Sequence, residues 1–218
     1  SPSSGLVNTA ESAIRIRKLL LAQHDGNAAI VLAGPATGVV RILGLYRSGP
    51  QITTKCRALV VAAGAYPAGA PEATIKSDVA AARKLFAEWP TPLVAVGSEV
   101  GDALPYPGAS IEKDFGWAPA HPVVDAYRAL KPMPYDAPAS ALAAVLYAAQ
   151  PDEGYFKLSD PGTITVLDDG RTQFTPAADG KHRYLIVDPA QKERVISVYS
   201  ALVSAPPAPR PGRGRGAL

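Results

Sequence analysis

The hydrophobic residues of this chain change their spacing from one segment to the next, and this spacing predicts alternating helices and strands. Between Ala10 and Ala22 the apolar positions Ala13, Ile16 and Leu20 recur at helical intervals. The run from Ala28 to Ala33 is continuously apolar. Such a run is typical of a strand that is buried on both faces of a parallel sheet covered by helices.

The same unit of strand and helix recurs once more, and a third strand follows it. Gly34-Pro35 ends the first strand, and a helix is expected to about Tyr46. A second strand over Ala58–Ala63 precedes a helix near Asp78–Glu88, and Leu93–Val96 forms the third strand. Strands that alternate with helices predict an α/β fold with a doubly wound, mainly parallel sheet flanked by helices.

The pattern then changes to short segments with β-strand character. These segments predict a small C-terminal antiparallel β appendage within residues 163–187, with strands at Thr163–Val166, Gln173–Thr175 and Tyr184–Val187. A last helix is expected from Pro189 to about Leu202.

Length and composition favour one domain followed by a tail. With 47% hydrophobic residues among 218, the chain can bury a substantial core, which we place at residues 1–204. Residues 205–218 are rich in Pro, Arg and Gly and cannot bury enough apolar surface to fold, so we expect a disordered tail. The net charge of +3 is small and arises largely from this tail, which argues against a specific nucleic-acid partner.

Other residue patterns exclude several classes of protein. No apolar run approaches the roughly 18 residues that a membrane span requires. Cys56 is the only cysteine, so an internal disulfide is excluded, the cysteine content does not indicate the redox compartment, and a buried thiol is expected. The three histidines, His24, His121 and His182, lack the spacing of a zinc site.

Three loops follow the predicted strands and should meet. Ligands of doubly wound sheets bind in the crevice at the carboxyl ends of the strands. Gly34–Thr37, Gly64–Thr74 and Gly97–Glu99 each follow a predicted strand. We therefore expect these loops to converge at one edge of the sheet and to form the candidate site.

Asp136 precedes another apolar segment with helical periodicity. Pro138 and the residues Leu142, Val145, Leu146 and Ala149 predict a helix over Ala139–Ala149, with Asp136 at its start. A carboxylate is favoured there because backbone N–H groups point outward. Asp136 could be a helix cap, a ligand for a hard metal ion or an acceptor for substrate hydroxyls.

Five segments resemble one enzyme family. They occur in the order and rough spacing of the C-terminal part of the inosine/uridine-preferring nucleoside hydrolases: AIVLAGPAT from Ala29, PEATIKSDVAAARKLF from Pro71, LVAVGSEV from Leu93, PYDAP from Pro134 and DEGYF from Asp152. The Tyr-Asp pair before the last active-site helix is similar to that of a bacterial branch of the family. The resemblance implies the nucleoside hydrolase fold and hydrolysis of the N-glycosidic bond of ribonucleosides by a water held on calcium.

The resemblance also implies roles for individual residues. Asp136 matches the C-terminal aspartate that binds both metal and ribose, and the Ala33 backbone carbonyl matches a metal ligand. Glu72 matches a glutamate that accepts from a ribose hydroxyl, and Thr74 stands where the family usually has Asn. Tyr135 occupies the position of a histidine that protonates the leaving base. Because a phenol is a poor proton donor at neutral pH, we expect a packing role for Tyr135 rather than an acid role.

The acidic signature of the family, Asp-x-Asp-x-Gly-x-Asp-Asp, does not occur in this sequence. We therefore expect that the chain corresponds to about the last two thirds of the family domain, and that alone it is inactive. Two main hypotheses follow: a nucleoside hydrolase-like enzyme, or a non-catalytic remnant or sugar- or nucleoside-binding module. A third hypothesis, RNA contact through the Arg-Gly tail, rests only on three arginines. The expected partner is a small-molecule nucleoside, and an exposed edge of the sheet would favour a homo-oligomer.

Overall fold

The computed structural model describes residues 9–45, 47–118 and 120–207. Its strands form one mixed sheet of seven strands. They are β1 (Ala28–Leu32), β2 (Cys56–Ala62), β3 (Leu93–Val96), β4 (Phe156–Leu158), β5 (Gly162–Val166), β6 (Thr172–Pro176) and β7 (His182–Val187). The strand order is β1-β2-β3-β7-β5-β6, and β4 pairs with β7.

Helices cover both faces of this sheet. They are α1 (Thr9–Leu21), α2 (Thr37–Leu43), α3 (Ser48–Lys55), α4 (Ala73–Lys76), α5 (Val79–Glu88), α6 (Ser98–Ala103), α7 (Gly108–Lys113), α8 (Pro122–Leu130), α9 (Ser140–Ala149) and α10 (Lys192–Ser204). A 3₁₀ turn at Pro189–Gln191 precedes α10. None of the helices in the described part of the chain has the length and apolar character needed to cross a bilayer.

The predicted α/β fold class is confirmed. Strands β1, β2, β3 and β7 run parallel, and the antiparallel strands β4, β5 and β6 join the same sheet through β7. The segment Tyr184–Val187 was predicted as an antiparallel strand, but β7 also pairs in parallel with β3, for example Ala95 with Tyr184. Alternation along a strand does not distinguish the two pairings, because the side-chain period is the same in both.

The two faces of β2 belong to two separate cores. Leu59 and Val61 pack with α2 and α5 on one face, whereas Val60 and Ala62 pack with α6, α9 and α10 on the other. This alternation follows from the pleat of a strand, in which successive side chains point to opposite faces. All seven residues of β2 except Arg57 and Ala58 are buried.

Strand β1 is not buried on both faces as predicted. It lies at the edge of the sheet, and its five residues are all only half-buried. Its apolar side chains alternate between the two cores, with Ile30 on one side and Val31 on the other. A continuous apolar run therefore also suits an edge strand, because helices cover its faces while none of the described strands pairs with its outer backbone edge.

Two helices of the structure differ from their predictions. The helix after β1 ends at Leu43, and the separate helix α3, with Pro50 in its first turn where proline is tolerated, was not predicted. Tyr46 lies outside the described residues. In α9, Val145 is 52% exposed and Ala149 is exposed, so the predicted apolar stripe is wrong there. The helix instead buries Ala143, Ala144, Leu146 and Ala148.

The remaining predictions of secondary structure agree with the chain as far as it is described. Helix α1 buries Ala13 and Leu20, and β3 matches its predicted bounds. Cys56 is buried and forms no disulfide, and burial raises the pKa of its thiol. Of the predicted tail, residues 208–218 lie outside the described residues, so its disorder stays a prediction.

Candidate functional site

The three loops that follow β1, β2 and β3 converge, as predicted. The hydroxyl of Thr37 donates to Asp78 Oδ2 at 2.6 Å and thereby joins the first loop to the segment after the second. This hydrogen bond holds the pKa of the Asp78 carboxyl below its ordinary value. The N–H of Ser98 donates to the Gly64 carbonyl at 2.9 Å and joins the second loop to the third.

Three successive backbone N–H groups in the second loop are bound by three different side chains. The N–H of Gly64 donates to Glu72 Oε2 at 3.2 Å, that of Ala65 to Thr172 Oγ1 at 3.0 Å, and that of Tyr66 to Glu99 Oε2 at 3.2 Å. We call these six residues the loop clamp. The Thr172 hydroxyl also donates to the Ala65 carbonyl at 3.1 Å, so the start of β6 helps to hold this loop.

Glu72 is oriented by backbone groups on both sides of the loop. Besides Gly64, its carboxylate accepts from the N–H groups of Thr74 at 3.0 Å and Ile75 at 3.1 Å, and so caps α4. An ionised carboxylate has about four acceptor positions. Three are occupied, and the free one lies on Oε1, which binds only Thr74. The structure thus brings Glu72 and Thr74 together, with an oriented acceptor between them.

Asp136 does not lie at the start of the helix that follows it, where the sequence analysis placed it. Helix α9 begins at Ser140, so Asp136 does not stand at its first turn. Its Oδ1 accepts from the N–H of Gly108 at 2.9 Å, at the start of α7. The chain pairing that brings Asp136 there is the bridge between Tyr106 and Ala137. Among the described residues, no hydrogen bond joins Asp136 to Glu72 or Thr74.

Tyr135 is held against helix α8. Its ring stacks on that of Tyr127, with centroids 5.2 Å apart and planes inclined by 17°. Its hydroxyl donates to the Tyr127 carbonyl at 3.0 Å, and Lys131 Nζ lies 4.2 Å from its ring centroid. This proton is therefore already used in a backbone hydrogen bond.

Glu99 is a site residue that sequence reasoning did not single out. It follows β3, in the first turn of α6, and its Oε1 is buried without a hydrogen-bond partner among the described residues. Burial raises the pKa of the Glu99 carboxyl, and the nearby Asp102 carboxylate adds to this rise. The sequence signal was an acid directly after a predicted strand.

The described residues do not complete a calcium site. Among them no three His, Cys, Asp or Glu side chains lie close enough together to hold a metal ion. Asp136 supplies one carboxylate that already accepts from Gly108, and Ala33 lies exposed after the end of β1. Calcium normally takes six to eight oxygen ligands. The predicted pair of ligands therefore does not fit this ion by itself.

No protein-family model matches the sequence, and no curated protein matches it either. Solved structures do match. A plant nucleoside hydrolase, the PpNRh1 enzyme, has a TM-score of 0.62 at 19% identity, covering 91% of this chain and 67% of its own. The inosine-uridine preferring nucleoside hydrolase of Bacillus anthracis has a TM-score of 0.60 at 16% identity, covering 87% and 65%. An inosine-guanosine nucleoside hydrolase has a TM-score of 0.66 at 17% identity, covering 89% and 68%.

The chain has the nucleoside hydrolase fold. The resemblance seen in the sequence motifs is thereby supported over about nine tenths of the chain. The chain spans about two thirds of the length of these nucleoside hydrolases. At this level of identity the likeness concerns the fold, because one fold can carry different activities and the residues of the site decide the chemistry.

Proposed function

We propose that this chain is the nucleoside-binding part of a nucleoside hydrolase-like protein, whose reaction is hydrolysis of the N-glycosidic bond of a ribonucleoside to base and ribose. The observation that carries this proposal is the position of Glu72. It lies at the carboxyl end of β2, is oriented by three backbone N–H groups and keeps one free acceptor position. The shared fold supports the choice of substrate class.

The free position on Glu72 suits a sugar hydroxyl. A carboxylate accepts from a hydroxyl more strongly than a neutral group does. Its three backbone donors fix its direction, so little conformational entropy is lost when a ligand binds. Thr74 lies in the adjacent first turn of α4, and we propose that its hydroxyl contacts the same sugar.

The other residues have proposed roles that depend on groups beyond those described. We propose that Asp136 and the Ala33 carbonyl contribute to ribose and calcium binding in a complete site that contains further acids. For Tyr135 we propose a packing role rather than proton donation to the base, because its hydroxyl already donates to the Tyr127 carbonyl.

A binding module without catalysis is the second candidate function. It is favoured by the absence of a metal-holding group of acids among the described residues. Both candidates need the same sugar contact at Glu72, and they differ only in whether the bound nucleoside is cleaved. Chromatography of inosine after long incubation with a longer form of this protein that supplies further metal-binding aspartates separates them, since the enzyme releases hypoxanthine and the module returns intact inosine.

Calorimetric titration of the chain with inosine, uridine and ribose tests the sugar contact. The variant Glu72→Gln keeps the shape of the side chain but removes its charge. We expect it to weaken binding by about tenfold or more, because hydrogen bonds to charged groups contribute roughly 1.5–3 kcal/mol. Glu88→Gln is the matched control, since on the exposed face of α5 Glu88 has Lys84 as its sole ion-pair partner among the described residues. Equal affinities for the two variants would refute the proposal.

A further inference from the structure

We propose that Glu99 is a positioning residue of the candidate site: by holding the N–H of Tyr66 it fixes the segment 64–66 and, through this segment, the side chain of Glu72. The inference concerns contacts of the loop clamp that exist without any ligand. Only its consequence for nucleoside binding rests on the proposed function.

The two ends of the segment 64–66 cannot move freely with respect to each other. The N–H groups of Gly64 and Tyr66 are two residues apart and bind Glu72 and Glu99, respectively. Thr172 binds both the N–H and the carbonyl of the residue between them. A shift at Tyr66 is therefore transmitted to Gly64 rather than absorbed between them.

Close packing at Gly64 strengthens this coupling. Gly64 has a φ of +83°, a backbone region that favours glycine. A Cβ at this position would lie 2.6 Å from Tyr66 Oη and 2.7 Å from Thr172 Oγ1. The backbone thus lies directly against two side-chain oxygens of the clamp, and the loop has no space in which to slide.

The environment of Glu99 makes this contact sensitive to protonation. Its Oε1 and the Tyr66 hydroxyl are both buried without a hydrogen-bond partner among the described residues. The charged and titratable groups that face it are Asp102 on its own helix, Tyr66 on the loop with Glu72 behind it, and Tyr184 on β7 across the adjoining cavity. No cation among these groups compensates its charge.

Burial therefore raises the pKa of Glu99, so it takes up a proton at a higher pH than an exposed glutamate. A protonated carboxyl has one oxygen that donates, and its remaining acceptors are weaker. The bond from the Tyr66 N–H then weakens, and Glu72 loses part of its orientation. If Glu72 binds the sugar, affinity for a nucleoside falls as the pH drops through the pKa of Glu99.

Nuclear magnetic resonance of the ¹⁵N-labelled chain tests the positioning role without a ligand. We expect the amide signals of Gly64 and Tyr66 to shift with pH along curves that share one midpoint, above that of an exposed glutamate. In Glu99→Gln this shared transition should disappear from both signals, whereas in Glu88→Gln it should persist. A transition of Tyr66 alone, with Gly64 unaffected, would overturn the proposal, as would a shared transition that survives in Glu99→Gln.

Inosine titrations of the same samples separate this proposal from the proposed function. We expect the Kd of the wild-type chain to rise across the shared transition and that of Glu99→Gln to stay constant. Coupled amide shifts without inosine binding at any pH would uphold the positioning role and refute the proposed function. Inosine binding without coupled shifts would refute the positioning role alone. Thermal melting of each variant shows whether it is folded.

Discussion

Asp136 Oδ1 accepts a hydrogen bond from the N–H of Gly108 at 2.9 Å, so this carboxylate caps helix α7 and not the helix that follows it in sequence. Pro107, the residue at the N-cap position, makes no side-chain cap of its own. Asp136 supplies this acceptor from 28 residues away. The contact that the structure shows for Asp136 is therefore a structural one, the cap on α7.

We expect Asp136→Ala to lower the free energy of unfolding by about 0.5–2 kcal/mol, as loss of a helix cap does. Denaturant titration followed by circular dichroism measures this change. Asp160→Ala is the control, because the exposed Asp160 side chain has no hydrogen-bond or ion-pair partner among residues 9–45, 47–118 and 120–207. Equal stability of the two variants would show that the contact with Gly108 contributes nothing.

In a longer form of this protein that supplies further metal-binding aspartates, Tyr135→Phe should lower turnover by less than about 100-fold, the lower bound for a well-matched general acid. The reason is that the Tyr135 hydroxyl donates to the Tyr127 carbonyl while its ring packs against α8.

Asp136→Ala should abolish turnover in the same protein, because its carboxylate would bind both cation and ribose. Steady-state kinetics at matched calcium concentrations measures both, and loss of activity in Tyr135→Phe would make Tyr135 the acid.

The 218-residue chain should bind calcium only weakly and should not release ribose from inosine or uridine at a useful rate. One carboxylate and one carbonyl fall well short of the six to eight oxygens that calcium takes. Calorimetry with calcium and a reducing-sugar assay test these expectations. Micromolar calcium affinity, or steady ribose release by a chain of verified mass, would contradict them.

Acid should destabilise the chain through His182. This residue is buried, its Nδ1 accepts from the N–H of Ile164 at 2.9 Å, and burial lowers its pKa, with the Lys181 charge adding to the effect. Because the folded state binds the proton less readily than the unfolded state, the stability from neutral His182 is fully present above the unfolded pKa of about 6.5 and is lost as the pH falls towards the folded value.

The variant His182→Asn should remove this pH dependence, because its side-chain oxygen can accept from Ile164 but does not titrate. The free energy of unfolding, measured between pH 7.5 and pH 5, should decrease less in this variant than in wild type. His24→Asn, at an exposed position, should retain the wild-type slope. If the slope is the same in both variants, His182 is not its source.

Thr172→Val should destabilise the chain by about 0.5–1.5 kcal/mol, because the N–H and carbonyl of the half-buried Ala65 lose their side-chain partner. Thr172→Ser keeps the hydroxyl and is the matched control. Thermal melting measures the difference, which should be roughly 2–4 °C per kcal/mol for a chain of this size. Equal melting temperatures would mean that Thr172 does not hold this loop.

The outer edge of β1 pairs with no strand in the described part of the chain, and this predicts association at high concentration. An edge strand presents unpaired backbone groups, and β1 carries no charged residue or proline that would oppose pairing. Sedimentation velocity over a range of concentrations measures this. Ala29→Lys should reduce association, whereas Val145→Lys, at an exposed position of α9, should not. Equal association of the two variants would place any interface elsewhere.

The alternation of strands and helices could be predicted from the sequence because it depends on the local periodicity of apolar residues. The buried strand Leu93–Val96 and the helix that contains Leu85 and Phe86 both show this pattern directly. The predicted apolar stripe of α9 was wrong because the local pattern of this helix does not single out one buried face. Several of its faces are apolar, and only packing against the sheet decided that Ala143 and Ala144 lie inside while Val145 stays exposed.

The sequence by itself determined the α/β architecture, the convergence of three loops and the place of Glu72, because strand ends and helix starts follow from residue spacing and parallel strands share one edge. The tertiary structure alone decided that β1 is an edge strand, that Asp136 caps α7 and that Glu99 holds Tyr66. These contacts join residues that are far apart in sequence, and no local pattern specifies which distant N–H group a carboxylate will meet.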